Sequence, residues 1–117
     1  MASLDEVHKT LDGSDVFESF ETLHNFITSL SKKIAFRVFP IYVSYSIEDK
    51  VIALIYYKNR NKHSGALDVG LNLKELPKDK GFIDAAYMKQ RGITFSTRVF
   101  TVLDAKSIEP EIRDILG

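Results

Sequence analysis

Residues 36–57, with the sequence FRVFPIYVSYSIEDKVIALIYY, decide the fold class of this 117-residue chain. On both sides of Pro40, apolar side chains alternate with other residues at the two-residue period of a β-strand. Because proline has no amide hydrogen for a β-ladder, Pro40 predicts either two strands or a kinked edge strand. Residues 48–50 predict a turn, and the seven apolar residues of 51–57 predict a central strand. The stretch therefore indicates a sheet built from neighbouring strands.

A helical pattern precedes this stretch. Apolar residues recur there at alternating spacings of four and three: Val16, Phe20, Leu23, Ile27, Leu30 and Ile34. This spacing places them on one face and predicts a long amphipathic helix that packs against the core. A shorter helix is predicted over residues 4–11 and ends at Asp12-Gly13, so residues 1–13 are expected to be an N-terminal helical extension.

Later segments continue the sheet and close the domain. Residues 66–73 and 93–103 alternate as strands, residues 82–89 predict a turn of helix, and residues 107–117 predict a final helix with Pro110 in its first turn. Strands bracketed by helices indicate an α+β fold. We expect one domain over residues 1–117, with an antiparallel sheet of four to five strands packed against a long N-terminal helix and a short C-terminal helix.

Composition excludes several classes of protein. The chain has no cysteine, so it has no disulfide framework, no thiolate nucleophile and no cysteine-based zinc site. No apolar run approaches the roughly 20 residues of a membrane helix. The first residues, MASLDE, lack the basic and apolar regions of a signal peptide. We therefore expect a cytoplasmic protein that does not bind a membrane.

Motifs that support catalysis are missing from the sequence. The three histidines, His8, His24 and His63, are far apart and have no acidic residue at a recurring ligand spacing. Neither a phosphate-binding loop nor a Gly-x-Ser-x-Gly nucleophile motif is present. The sequence therefore predicts no catalytic residue, no metal and no cofactor, and it favours a non-enzyme.

The charges are unevenly distributed, although 16 basic residues balance 16 acidic ones. Residues 32–106 contain 14 Lys and Arg against 7 Asp and Glu, whereas residues 1–31 contain one Lys against six acidic residues. One interpretation is a basic surface that faces an anionic partner. The alternative is that acidic helices pack on a basic sheet and neutralise it.

Aromatic and basic residues interleave in the middle of the chain, a combination that single-stranded nucleic acid uses for stacking and phosphate neutralisation. The leading hypothesis is a non-catalytic binding module with a basic and aromatic face for an anionic partner such as nucleic acid. The ligand-binding residues that this hypothesis predicts are Tyr42, Tyr45, Tyr57, Lys58, Arg60, Lys62, Lys89, Arg91 and Arg98.

Two alternatives stay open at the level of sequence. In the first, a small anionic ligand binds in a pocket between sheet and helices that contains Arg98 and Tyr45. In the second, the chain is a protein-interaction or dimerisation module. A long strand edge at residues 93–103 would then pair with a copy of itself as a homodimer.

Residues 42–116 resemble a small bacterial and archaeal domain family. The resemblance is carried by VSY at residues 43–45, VIALIYYK at 51–58, LDVGLNL at 67–73 and the closing strand and helix from Arg98 to Leu116. Members of that family are labelled as predicted transport proteins, and they occur alone or at the C-terminus of larger proteins, some with restriction-endonuclease-like domains. The resemblance implies no established activity and favours a nucleic-acid-associated or accessory role.

Overall fold

Helices flank a run of strands in the computed structural model, which describes residues 3–11, 16–57, 66–77, 81–84, 89 and 92–116. The helices are α1 (Leu4–Leu11), α2 (Phe17–Ser29), α3 (Val102–Ser107) and α4 (Glu109–Arg113), with a short 3₁₀ helix at Asp114–Leu116. The strands are β1 (Ala35–Val38), β2 (Tyr42–Ile47), β3 (Lys50–Tyr56), β4 (Leu67–Leu71), β5 (Ile83–Asp84) and β6 (Phe95–Val99).

The strands form one antiparallel sheet in the order β1-β2-β3-β4-β6-β5. The predicted α+β class is confirmed, but the described residues contain six strands instead of four or five. The additional strand is β5, where the sequence predicted a turn of helix. Ile83 and Asp84 pair there with Ser96 and Phe95, so contacts with a distant strand set the local structure.

The helices also differ in length from the prediction. The long helix ends at Ser29, well before Ile34, because the N–H of Leu30 already bonds the carbonyl of Ile27 in a tightened final turn. The strand predicted over residues 93–103 stops at Val99. Thr101 begins α3 there through a capping box: its hydroxyl accepts the N–H of Asp104, whose carboxylate accepts the N–H of Thr101.

The helices cover one side of the sheet, which we call the helix face. Val7 of α1, Phe20 of α2 and Ile112 of α4 share one buried cluster with Val43 and Ile55 of the sheet. On the other side, the outer face, a smaller buried cluster contains Leu54, Tyr56 and Ile93. Among the described helices, none has the length and apolar character needed to cross a membrane.

Candidate interaction surface

Tyr45 lies in the core on the helix face, with none of its surface exposed. Its hydroxyl is 2.7 Å from Nδ1 of His24 on α2. Burial raises the pKa of Tyr45 and lowers the pKa of His24, so both side chains are neutral at pH 7 and share one hydrogen bond between the hydroxyl and Nδ1. The expected ligand-binding role of Tyr45 has no support in this geometry, because a buried ring cannot stack on a partner.

Tyr57 is also buried, at the end of the central strand. Its hydroxyl donates to the carbonyl of Phe39, and burial raises the pKa of the hydroxyl group. The hydrogen bond ties the chain after β3 to the turn between β1 and β2. Tyr57 is therefore a second predicted binding residue whose ring belongs to the core.

Tyr42 lies in a stack of aromatic rings on the outer face. Its ring centroid is 4.7 Å from that of Phe39 and 4.9 Å from that of Tyr56, and both pairs are stacked. The guanidinium of Arg37 lies 5.2 Å from the centroid of Phe39. The two faces of the Tyr42 ring are thus covered by neighbouring rings, so a base could stack on Tyr42 only by displacing one of them.

The two predicted cations that the structure describes are both paired with carboxylates. Nε of Arg98 is 3.1 Å from Oδ1 of Asp68, its partner in the β4–β6 register. Nζ of Lys89 is 2.6 Å from Oδ2 of Asp84. An anionic partner would have to compete with these internal carboxylates for either cation. The other four predicted cations lie outside the described residues: Lys58, Arg60, Lys62 and Arg91.

The proposed pocket containing Arg98 and Tyr45 does not form, because the two side chains lie on opposite faces of the sheet. Tyr45 pairs with Ala53 in a row that faces the helices. Arg98 pairs with Asp68, which pairs with Tyr56 of the outer-face cluster. Within the described part of the chain, no group of three or more metal-binding side chains is arranged to hold a metal ion.

The strand edge predicted for self-pairing is also misplaced. β6 lies inside the sheet, between β4 and β5, and residues beyond Val99 turn into α3. Among the described strands, the sheet ends at β1 and at the two-residue β5, and β1 is paired on one side alone, with β2. The sequence prediction of either two strands or an edge strand around Pro40 included this position, but the self-pairing edge was expected at residues 93–103.

Within the described residues, the backbone of β1 has hydrogen-bonding groups that point away from its one partner strand, β2. The N–H of Phe39 donates to the carbonyl of Tyr42 at 2.8 Å, which makes these two residues a hydrogen-bonded pair of the ladder. Such pairs alternate along an antiparallel ladder, so Arg37 bonds toward β2, whereas the N–H and C=O of Phe36 and Val38 point away from it. Pro40 follows at the next outward position, where a missing N–H is tolerated.

A groove of about 650 Å³ runs beside this edge. Its lining consists of the start of the first helix and the strand with its following turn: Ser3, Leu4, Asp5 and residues 36–40. Phe36 is 42% exposed at the groove, although its ring also meets the edge of the His24 ring at 4.8 Å between centroids. We call β1 and this groove the β1 edge. In the part of the chain that the structure describes, it combines outward-pointing backbone groups, an apolar ring and room for an extended chain.

Comparisons with protein-family models, curated proteins and solved structures find no match to this chain.

Proposed function

We propose that this domain is a protein-interaction module that binds an extended polypeptide segment as an additional strand at the β1 edge. The observation that carries the proposal is the outward direction of the N–H and C=O groups of Phe36 and Val38 beside the groove. Strand addition of this kind uses main-chain hydrogen bonds for affinity and side-chain pockets for specificity.

The chemistry of the edge defines the partner segment. Phe36 and Val38 face the helix side, where Leu4 lines the same groove, so the partner's side chains on that face should be apolar. Arg37 lies on the outer face, and like charges directly opposite each other destabilise a strand pair. The partner should therefore have alternating apolar residues and a small, uncharged or acidic residue opposite Arg37.

The geometry favours this function over the expected anionic partner. Of the six cations predicted to bind such a partner, four lie outside the described residues, and Arg98 and Lys89 are paired with Asp68 and Asp84. The predicted aromatic platform is also covered, since Tyr45 and Tyr57 are buried. Binding of nucleic acid remains a prediction from the sequence, and it is tested separately below.

The test uses a library of random heptapeptides selected against the full chain. We expect selected peptides to have alternating apolar residues, and to slow amide hydrogen exchange at Phe36 and Val38. Val38→Pro removes one outward donor while sparing the ladder to β2, and it should weaken binding about fivefold or more, the value of one lost hydrogen bond. Val38→Ala is the matched control, because it keeps the N–H and changes only the side chain.

A second measurement acts on the peptide, so that it does not depend on the folding of the proline variant. Methylating the peptide nitrogen that faces Phe36 removes the reciprocal donor and should also weaken binding about fivefold or more. Equal binding of the methylated and unmethylated peptides, or selected peptides that leave the Phe36 and Val38 amides unprotected, would overturn the proposal.

A further inference from the structure

We infer that the segment best suited to the β1 edge is the same strand of a second copy of this chain, paired antiparallel across a two-fold axis at Phe36. This inference rests on the proposed function and names its partner. A two-fold axis makes the interface self-complementary, so association stops at two copies.

Side-chain chemistry selects the register. Residues directly opposite each other in an antiparallel pair lie on the same face of the sheet. With the axis at Phe36, the two Phe36 rings are opposite each other, and Ile34 is opposite Val38 of the second copy on the same apolar face. On the outer face, Arg37 is opposite Ala35 of the second copy, a small and uncharged neighbour that leaves the arginine free of like charge.

The nearest alternative register has its axis at Arg37 and is disfavoured. It would place the two guanidinium groups on directly opposite residues, whose Cα atoms are only about 4.5 Å apart in a non-hydrogen-bonded pair. The charge of Arg37 therefore disfavours this register, and it also disfavours nonspecific pairing of other strands with the β1 edge.

Backbone geometry fits the same register. The outward N–H and C=O of Phe36 can exchange both hydrogen bonds with Phe36 of the second copy. The outward N–H of Val38 then faces the carbonyl of Ile34 of the second copy. The N–H of Ile34 is not left without a partner in this register, because it already donates to the carbonyl of Ser31 at 3.3 Å.

Pairing would also bury apolar surface that the single chain leaves in water. Phe36 is 42% exposed, and the groove beside it is lined by Leu4 of the first helix. In the inferred dimer, the strand of each copy occupies the groove of the other, and Phe36 packs between the first turns of the two α1 helices. Removing these side chains from water stabilises the pair in addition to the ladder.

Sedimentation equilibrium of the full chain tests the dimer. We expect the weight-average mass to rise from that of the monomer toward that of the dimer as concentration increases through the micromolar range. Val38→Pro should weaken the association at least about tenfold, because the two-fold axis loses the same donor twice, and Val38→Ala should change it much less.

Cysteine cross-linking tests the register, because the chain contains no cysteine of its own. An equal mixture of Ile34→Cys and Val38→Cys proteins, both of which keep Arg37, should form the mixed disulfide on mild oxidation, since these positions are opposite each other in a hydrogen-bonded pair with Cα atoms about 5.5 Å apart, within disulfide range. Neither variant should cross-link to itself, because the two copies of each position lie beyond the roughly 7 Å limit in this register. Intact mass distinguishes the three products.

Failure of this inference can be separated from failure of the proposed function. A chain that stays monomeric at all concentrations, or a mixed disulfide of Ile34→Cys and Val38→Cys that is no more abundant than random pairing gives, would overturn the inference. If selected heptapeptides still bind in a way that Val38→Pro weakens, the β1 edge is an interaction site for other chains. If neither a second copy nor the peptides bind there, both proposals are wrong.

Discussion

The hydroxyl of Tyr45 lies 2.7 Å from Nδ1 of His24, and this hydrogen bond joins the sheet to the helix that covers it. The His24 ring also contacts two other rings: it stacks on Phe20 with centroids 5.7 Å apart and forms a T-shaped pair with Phe36 at 4.8 Å. Phe36 belongs to the β1 edge. The hydrogen bond with Tyr45 therefore helps to position the His24 ring, and Phe36 of the β1 edge packs against that ring.

Removing the Tyr45 hydroxyl should destabilise the fold. Tyr45→Phe keeps the ring but leaves Nδ1 of His24 without its hydrogen-bond partner, and we expect the free energy of unfolding to fall by about 1 kcal/mol. Urea denaturation measures the change, and the cycle with His24→Phe isolates the coupling. A double variant whose loss equals the sum of the single losses would show that the hydrogen bond contributes nothing.

The stability of the protein should decrease in mild acid because of His24. Burial lowers its pKa below the ordinary value of 6.5, with Glu21 opposing the shift and His8 adding to it. Between the folded-state and unfolded-state pKa values, the unfolded chain binds more protons than the folded chain. The contribution of His24 to stability is therefore complete above about pH 6.5 and lost as the pH falls to the folded-state pKa.

Urea unfolding from pH 7.5 to 5 should show a smaller decrease in the free energy of unfolding for His24→Gln than for the wild type. Identical slopes would contradict this assignment.

The start of α3 depends on one side chain. Thr101→Ala removes the hydroxyl that accepts the N–H of Asp104, and should cost about 1 kcal/mol of stability. Thr101→Ser keeps the acceptor and should restore most of the loss. Thermal unfolding of the three proteins measures the difference, and equal midpoints for the alanine and serine variants would show that the capping bond contributes nothing.

Local sequence patterns predicted the strands and part of the burial. The alternation in residues 36–47 located β1 and β2 on either side of Pro40, and the apolar run after Lys50 located β3. The same pattern contained the signal for Tyr45, which shares its period with Val43 and Ile47 and therefore belongs to the buried face. Interpreting Tyr45 as a surface residue gave more weight to its aromatic chemistry than to its position in the alternation.

Features that depend on distant pairing could not be predicted in this way. Asp68 and Arg98 are 30 positions apart, and their ion pair follows from the placement of β6 next to β4. The two-residue β5 has no periodicity of its own, and it forms because Ser96 and Phe95 offer it a ladder. The open edge at β1 is likewise a property of the strand order, which no single segment specifies.

Any binding of single-stranded nucleic acid should depend on the segment from Lys58 to Lys62 and very little on Lys89. Because Lys89 is already paired with Asp84, converting it to Gln should leave the affinity within about twofold. Replacing Lys58, Arg60 and Lys62 together with Gln should weaken binding and reduce the slope of log affinity against log salt by about two units, since each phosphate contact on a single strand contributes about 0.7. Fluorescence anisotropy of a labelled 20-nucleotide DNA between 20 and 200 mM NaCl measures both quantities. An unchanged slope in the triple variant, or a large loss of affinity in Lys89→Gln, would mean that the predicted cations do not act in this way. Absence of binding at the lowest salt concentration would exclude single-stranded DNA as a partner.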